Sequence, residues 1–379
     1  MATKIKGMGE LFKEVIDEGL CTVCGACVGD CPYTVFYRGK IRMIDFCTRT
    51  EGRCYEYCPR THTDLDDISK MVFDAPYPDN EIGTVREIIM ARAGDRKVRN
   101  KAQYGGTVTA LLSLALEEGL VHKAILAKTN ADKKPEAAEA ATTKELLACA
   151  GSNYMAYPAL EALNRMPKDN KEKLGIVLTP CQSIALAKMR SCPPDQRIDM
   201  SNIRIVIGLF CTWALDYGRF YEFLKDKVDI ARIKKFDIPP PPASRFDIYT
   251  GKEVESLQLD EVRNYRMHTC AYCLDMTAEF ADISVGAVEG VEGWNTVIVR
   301  SERGASLVDR ARKNGIIEFD KLPDKILAHL KEAAMLKKSR GLKECVKRTG
   351  DRNNLLYLGM NDALRDRLLA WKGQEGGGH

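Results

Sequence analysis

Fourteen cysteines stand among 379 residues, and their spacing sorts them into sets suited to different chemistry. The run Cys21-Thr-Val-Cys24-Gly-Ala-Cys27-Val-Gly-Asp-Cys31-Pro32 has the C-x2-C-x2-C-x3-C-P spacing of bacterial-type ferredoxins. There a tight loop turns three thiolates toward one iron–sulfur cubane, and the fourth cysteine ligates a second cluster. A second run of the same kind is therefore expected downstream, and it is present in altered form. Counting back from Cys58-Pro59 puts Cys54 at the third position, Glu51 at the second and Thr48 at the first, with Cys47 one residue early. One 4Fe-4S cluster then takes Cys21, Cys24, Cys27 and Cys58. Cys31, Cys47 and Cys54 remain, which leaves a 3Fe-4S cluster, a cubane completed by a non-cysteine ligand such as Glu51 or His62, or no second cluster. Zinc is the competing reading of the first run, but zinc sites pair two C-x2-C knuckles about a dozen or more residues apart.

Four further cysteines have another setting. Cys181, in Thr179-Pro-Cys-Gln182, and Cys211, in Phe210-Cys-Thr212, each follow a predicted strand, and Cys270-Ala-Tyr-Cys273 lies in a loop. Open α/β sheets place ligands at strand ends, so two single cysteines and one C-x2-C pair could make a four-thiolate set for a third cluster. Scattered core cysteines are the alternative. Cys149, Cys192 and Cys345 have no ligand spacing and read as structural.

Dinucleotide motifs are missing: no G-x-G-x-x-G follows a strand and no G-x4-G-K-[ST] occurs. Gly105-Gly106, with Thr107, Thr109 and an apolar helix behind them, could instead offer backbone N–H groups and hydroxyls to a pyrophosphate. A plain loop before a core helix is the competing reading. Gly151, Ser152 and Tyr154, and likewise Gly286 with Trp294, combine small residues that permit close approach with an aromatic that can pack on a ring system.

The elements that must position these groups follow from periodicity. Residues 124–129, 175–179, 203–211, 283–288 and 296–300 read as strands, and 106–119 and 183–189 as helices, an alternation that favours an α/β or α+β core. The turn-rich Asp74-Ala-Pro-Tyr-Pro-Asp-Asn80 separates a ferredoxin-like domain (1–75) from the core (80–300). A helical, charged extension (301–379) follows, ending in a Gly-rich tail expected to be mobile. Prolines 239–242 require a loop. Residues 331–349 hold seven basic and two acidic side chains on a helical pattern, read as a solvated face, with docking of an acidic partner as the alternative.

Bulk properties narrow the class. A hydrophobic fraction of 45% suits a packed protein, and a net charge of +4 argues against nucleic acid as a partner. The first twenty residues lack a secretory apolar region, and the longest apolar run, 203–215, is broken by Arg204 and too short for a transmembrane segment. Free cysteines in such a chain imply a reducing, cytoplasmic setting, with any membrane role peripheral.

Several blocks stand in order: Asp95-Arg-Lys-Val-Arg-Asn-Lys-Ala-Gln-Tyr-Gly-Gly-Thr-Val-Thr109, Ala150-Gly-Ser-Asn-Tyr154, Pro180-Cys181-Gln182, Cys211, Cys270-x2-Cys273, Ala281-Asp-Ile-Ser-Val-Gly-Ala287 and Gly293-Trp-Asn-Thr-Val-Ile-Val-Arg300. Together they resemble the coenzyme F420 hydrogenase/dehydrogenase beta subunit family. The resemblance implies an α/β (α+β) flavoprotein core, with a 4Fe-4S cluster on Cys181, Cys211, Cys270 and Cys273 beside an FAD. Gln103, Gly105, Gly106, Thr107, Thr109, Gly151, Ser152, Tyr154, Gln182, Gly286 and Trp294 would lie at the cofactor. It also implies coenzyme F420 as substrate, whose phosphate and polyglutamate tail call for a basic groove. Arg96, Lys101, Arg263 and Arg266 are its candidates, with solvated surface charges as the alternative. His268, two residues from Cys270, reads as a loop residue. No side-chain acid or base is required for hydride exchange. The ferredoxin-like extension resembles the family's dehydrogenase branch and leaves the redox partner open: a hydrogenase, formate dehydrogenase, heterodisulfide reductase, membrane dehydrogenase or sulfite reductase subunit. A non-catalytic electron relay and a same-fold reductase using ferredoxin or another substrate are the other readings.

Overall fold

A computed structural model describes residues 6–191, 199–239 and 243–373. Cys192, prolines 240–242 and the end of the Gly-rich tail lie outside the described residues.

The core is one eight-stranded sheet of β1 (Glu87–Ala93), β2 (Lys123–Thr129), β3 (Pro135–Ala140), β4 (Leu174–Leu178), β5 (Ile203–Leu209), β6 (Ile283–Ala287), β7 (Asn295–Val299) and β8 (Ile317–Lys321). The spatial order is β8-β1-β7-β6-β5-β4-β2-β3. β6, β5, β4 and β2 pair in parallel, while β7, β8 and β3 join antiparallel to their neighbours. Every residue of β4 and β7 is buried, as expected of strands covered on both faces. On one face Val177, Ile205, Ile207 and Val285 pack against α1 (Thr107–Glu117) and α3 (Glu302–Lys313). On the other, Ile176, Leu178 and Val206 meet α2 (Pro180–Ser191), Leu160 and Leu163.

Cys24, Ala26 and Tyr57 belong to that second apolar cluster, so the N-terminal cysteine-rich segment is seated on the sheet's own core. Its hairpin, Thr34–Tyr37 against Lys40–Met43, turns through Arg38 and Gly39, both with positive φ, the two-residue geometry that suits strand twist. The sheet does not close at residue 300, where the sequence places the end of the core. β8 pairs with β1 from Ile317–Ala93 to Lys321–Ile89, and α3 covers Val299, so the segment after 300 is partly sheet. The expected helical part comprises α3, α4 (Asp324–Thr349) and the helix Asp362–Ala370, with β8 between α3 and α4. Residues 212–265 add a three-stranded antiparallel sheet around Phe220, Phe236 and Phe246.

Candidate functional site

Strand direction decides where the chemistry can gather. β1, β2, β4, β5 and β6 run the same way, so Ala93, Thr129, Leu178, Leu209 and Ala287 end at one edge. Cys181 follows β4, Cys211 follows β5, the β6–β7 connection carries Trp294, and the glycine pair before α1 follows β1. A crevice beyond the carboxyl ends of parallel strands is where such sheets bind ligands.

At this edge the four dispersed cysteines face one another. The charge of Cys211 is felt with those of Cys270, Cys181 and Cys273, and Cys181 faces Cys273. A cavity lined by Cys181 and Cys273 also touches Pro59, Arg60 and Leu274. A second set comprises Cys21, Cys24, Cys27 and Cys58, and a third Cys31, Cys47 and Cys54. The sets adjoin in series, since Cys21 and Cys24 feel Cys181, and Cys27 feels Cys54. All these thiols are free of disulfides. Burial, the largest cause, pushes Cys21 and Cys54 up to about 12 and Cys270 to about 11. Among the described residues no three His, Cys, Asp or Glu side chains are grouped to hold a single metal ion. A cubane asks for a wider spacing, because each thiolate bonds a separate iron at its own corner. Unoxidised thiols, buried or half-buried, in sets of four, four and three fit clusters better than one zinc ion. For the set of three, Glu51 and His62 are both exposed, while Cys54 also feels the Asp30 carboxylate, which is paired with Arg53 at 3.0 Å.

Three buried cations accompany the thiols, and spacing did not single them out. Lys188 Nζ donates to the carbonyls of Cys58 and His62, both at 2.8 Å, and to the hydroxyls of Thr61 and Thr63. Arg60 donates to Thr269 Oγ1 and to the Thr269 carbonyl, both at 3.1 Å, and covers the Tyr357 ring; its charge reaches Cys21, Cys58 and Cys181. Lys337 Nζ donates to the Cys211 carbonyl at 2.5 Å. Burial opposes its charge, but Cys273, Cys211 and Cys270 outweigh that and hold it above the ordinary lysine range. Lys337 and Lys338 are buried, so the basic stretch 331–349 is not simply the solvated face its composition suggested. Lys338 pairs with Glu279 and Tyr77.

Backbone approach is as tight as the electrostatics. Asn164 Nδ2 donates to the carbonyls of Gly25, Ala26 and Val28 at 3.3, 2.9 and 2.7 Å, clamping the first cysteine loop. Gly25 has φ +88°, and a Cβ there would lie 2.8 Å from the Pro158 carbonyl oxygen. Gly341 on α4 is pressed against the Cys273 carbonyl, where a Cβ would come within 2.7 Å.

The expected flavin residues divide. Gly106 precedes α1 with φ +76°, but the Thr107 amide and hydroxyl are taken by Asn295 Oδ1, and the hydroxyl also by the Ala91 carbonyl. A Cβ on Gly105 would meet Asn295 Oδ1 at 2.7 Å, and one on Gly286 would enter the Phe210 ring, so packing alone requires both glycines. Thr109, half-buried, lies in the first turn of α1. The Gln182 amide accepts from Thr179 N and donates to the Tyr157 carbonyl, a local role. Gly151 is open, whereas Tyr154 packs on Phe246, contacts Ser152 and accepts from Ile238 N. Gln103 donates to Asp237, leaving its Oε1 buried without a partner. Trp294 is half-buried with Arg92 over its ring at 4.4 Å. This edge thus keeps an unsatisfied acceptor, an open glycine and an accessible indole, which fit a ring-bearing cofactor.

Of the basic candidates, Arg96 and Lys101 are exposed on the short helix after β1, and Arg263 is tied to Asp260. Arg266 faces Arg340 across a cavity of about 150 Å³ that also touches Cys270, Trp213 and Glu344. His268 is exposed with its ring against Tyr272. Cys345 is buried in the core beside Tyr272 and Tyr357, consistent with a structural part. No helix among the described residues is long and apolar enough to cross a membrane.

Comparison with known proteins gives two family matches: coenzyme F420 hydrogenase/dehydrogenase beta subunit, N-terminal part, over residues 88–164, and C-terminal part over 171–325. The second match runs past residue 300 through β8. The chain is 35% identical over 241 residues to coenzyme F420 hydrogenase subunit beta of Methanothermobacter thermautotrophicus, covering 62% of this chain and 85% of that protein. It is 30% identical over 310 residues to the coenzyme F420-dependent sulfite reductase of Methanocaldococcus jannaschii, covering 78% of this chain but 46% of that one. Among solved structures, a chain of the F420-reducing NiFe hydrogenase complex from Methanosarcina barkeri matches with TM-score 0.66 and 26% identity, over 74% of this chain and 97% of that chain.

Proposed function

Because this chain belongs to the coenzyme F420 hydrogenase/dehydrogenase beta subunit family, we propose that it is an oxidoreductase subunit that exchanges hydride between coenzyme F420 and a bound FAD. Single electrons then pass to or from a partner subunit through iron–sulfur clusters. The observation that carries this reading is the serial placement of three thiol sets behind the carboxyl edge of the sheet.

FAD bound at that edge supplies the exchange between a two-electron hydride donor and one-electron centres, which neither a deazaflavin nor a cluster provides alone. The rest is assigned to this chain's own residues. Cys181, Cys211, Cys270 and Cys273 hold the core cluster, Cys21, Cys24, Cys27 and Cys58 the next, and Cys31, Cys47 and Cys54 the outer one. The first turn of α1, Gln103 Oε1, Ser152, Tyr154 and Trp294 orient the flavin. Arg266 and Arg340, with Arg263 beside them and the exposed Arg96 and Lys101 after β1, attract the anionic tail of the substrate. Partial burial of the thiols limits their contact with water and lowers the local dielectric along the path. The partner is a redox subunit of the hydrogenase, formate dehydrogenase or heterodisulfide reductase kind.

The test is anaerobic purification with iron, sulfide and flavin counts, followed by reduced F420 and a dye acceptor. Flavin-loaded protein should oxidise the reduced coenzyme; flavin-loaded protein without turnover overturns the assignment. A second reading, a cluster relay without flavin, is favoured by the internal use of Thr107 and Gly286. Protein with full iron that retains no flavin would select it.

A further inference from the structure

Neighbouring lysines on α4 are buried to the same degree yet are treated differently. Lys338 meets a carboxylate, that of Glu279. Lys337, 3% exposed, makes one hydrogen bond, to the Cys211 carbonyl oxygen, and forms no ion pair among the described residues. A buried ammonium without a counter-ion is strongly disfavoured, so its partner has to be sought among what faces it. The groups whose charges reach it are Cys273, Cys211 and Cys270 and, more weakly, the Asp275 carboxylate. Gly341, one turn along the same face, lets the helix touch the Cys273 backbone and brings the ammonium to this place.

We propose that Lys337 is the counter-charge of the core iron–sulfur cluster, a fixed buried cation that raises the reduction potential of that cluster relative to the two N-terminal ones. This rests on the reading that Cys181, Cys211, Cys270 and Cys273 hold a cluster. Four thiolates make the assembled centre anionic, and each added electron makes it more so. A cation at fixed distance in a low-dielectric interior therefore stabilises the reduced form more than the oxidised form. Lys188 is a different case, because its four protein acceptors satisfy it at the Cys58 loop without a cluster. Lys337 is assigned no contact with substrate or flavin, and its part is to set a potential.

The experiment uses the full chain with its clusters, in a redox titration followed by electron paramagnetic resonance. Lys337→Gln can keep the hydrogen bond to Cys211 while removing the charge, and Lys337→Arg keeps the charge. In the glutamine variant one cluster's wave should move to lower potential, so that its reduced-to-oxidised ratio at the wild-type midpoint falls about tenfold, or about 59 mV for one electron. The other waves should stay in place, and the arginine variant should titrate near wild type. Loss of the core cluster's iron in the glutamine variant but not in the arginine variant also supports the assignment. An unmoved wave at full iron content, an equal shift of all waves, or iron loss in both variants overturns it. Wild-type protein lacking the core cluster's iron would refute the underlying cluster reading itself, an outcome the iron count separates from the others.

Discussion

Asn164 shows how far from a cysteine in sequence a cysteine loop can be controlled. Its side chain is buried, and its amide is shared among the carbonyls of Gly25, Ala26 and Val28, of which that of Gly25 also accepts from the loop's own backbone, at Val28 N. Asn164→Ala should lower stability by about 1–3 kcal/mol, the net worth of the lost bonds, in denaturant unfolding under anaerobic conditions. The thiols make a second prediction at this scale. The folded values of Cys21 and Cys270 lie above the ordinary thiol value of about 8.5 because burial disfavours the thiolate, so without iron the folded state holds protons that the unfolded chain releases. Stability of the iron-free protein is then fully present below that value and is lost as pH rises toward the 11 to 12 of Cys270 and Cys21. Iron-stripped protein should melt at progressively lower temperature above about pH 8.5, and loaded protein should not, because metal binding already removes those protons. Scans across that range with and without a chelator check it. The cysteines themselves were legible, since C-x2-C-x2-C-x3-C-P is a local pattern. Lys337, Arg60 and Asn164 were not, since a lysine, arginine or asparagine acquires its part only from what a distant segment places beside it.

Among the elements, α4 sets the most demanding geometry. Replacing a helix-interior glycine by alanine ordinarily stabilises a helix by about 1 kcal/mol. At Gly341 the new Cβ would lie 2.7 Å from the Cys273 carbonyl oxygen, and backbone cannot yield as a flexible side chain can. Gly341→Ala should therefore lose the core cluster while keeping the N-terminal ones, read as a drop in iron and sulfide with the ferredoxin-like signals retained. A variant with unchanged iron would show that the helix can shift. Strands β2, β4, β5, β6 and β7 fall within a residue or two of where β-branched runs place them. Strands β1, β3 and β8 were not read from the sequence; β8, Ile-Glu-Phe-Asp-Lys, is mostly exposed at the sheet's edge. Its apolar signal is too sparse to read, and its pairing with β1 spans more than two hundred residues.

For the molecule as a whole, the N-terminal segment is built into the second face of the sheet through Cys24, Ala26 and Tyr57. Parallel pairing of Thr63–Asp64 with Leu358–Gly359 ties its end to the far end of the chain. The set containing Cys24 stands between the other two, so interrupting it should split the reaction into halves. In Cys24→Ala, reduced F420 should still bleach the bound flavin in stopped flow at about the wild-type rate, while delivery to an acceptor at the ferredoxin-like end falls about tenfold or more. Equal loss of both would deny the serial order. What the sequence by itself determined was the cysteine spacing, the strand-and-helix alternation and the family resemblance, because spacing and periodicity are written in neighbouring residues. Only the tertiary structure decided that three thiol sets stand in line, that glycines read as cofactor contacts serve packing against Asn295 and Phe210, and that a lysine in a charged helix lies buried against cysteines. Those outcomes depend on segments far apart in the chain meeting in one place, and no local pattern carries that information.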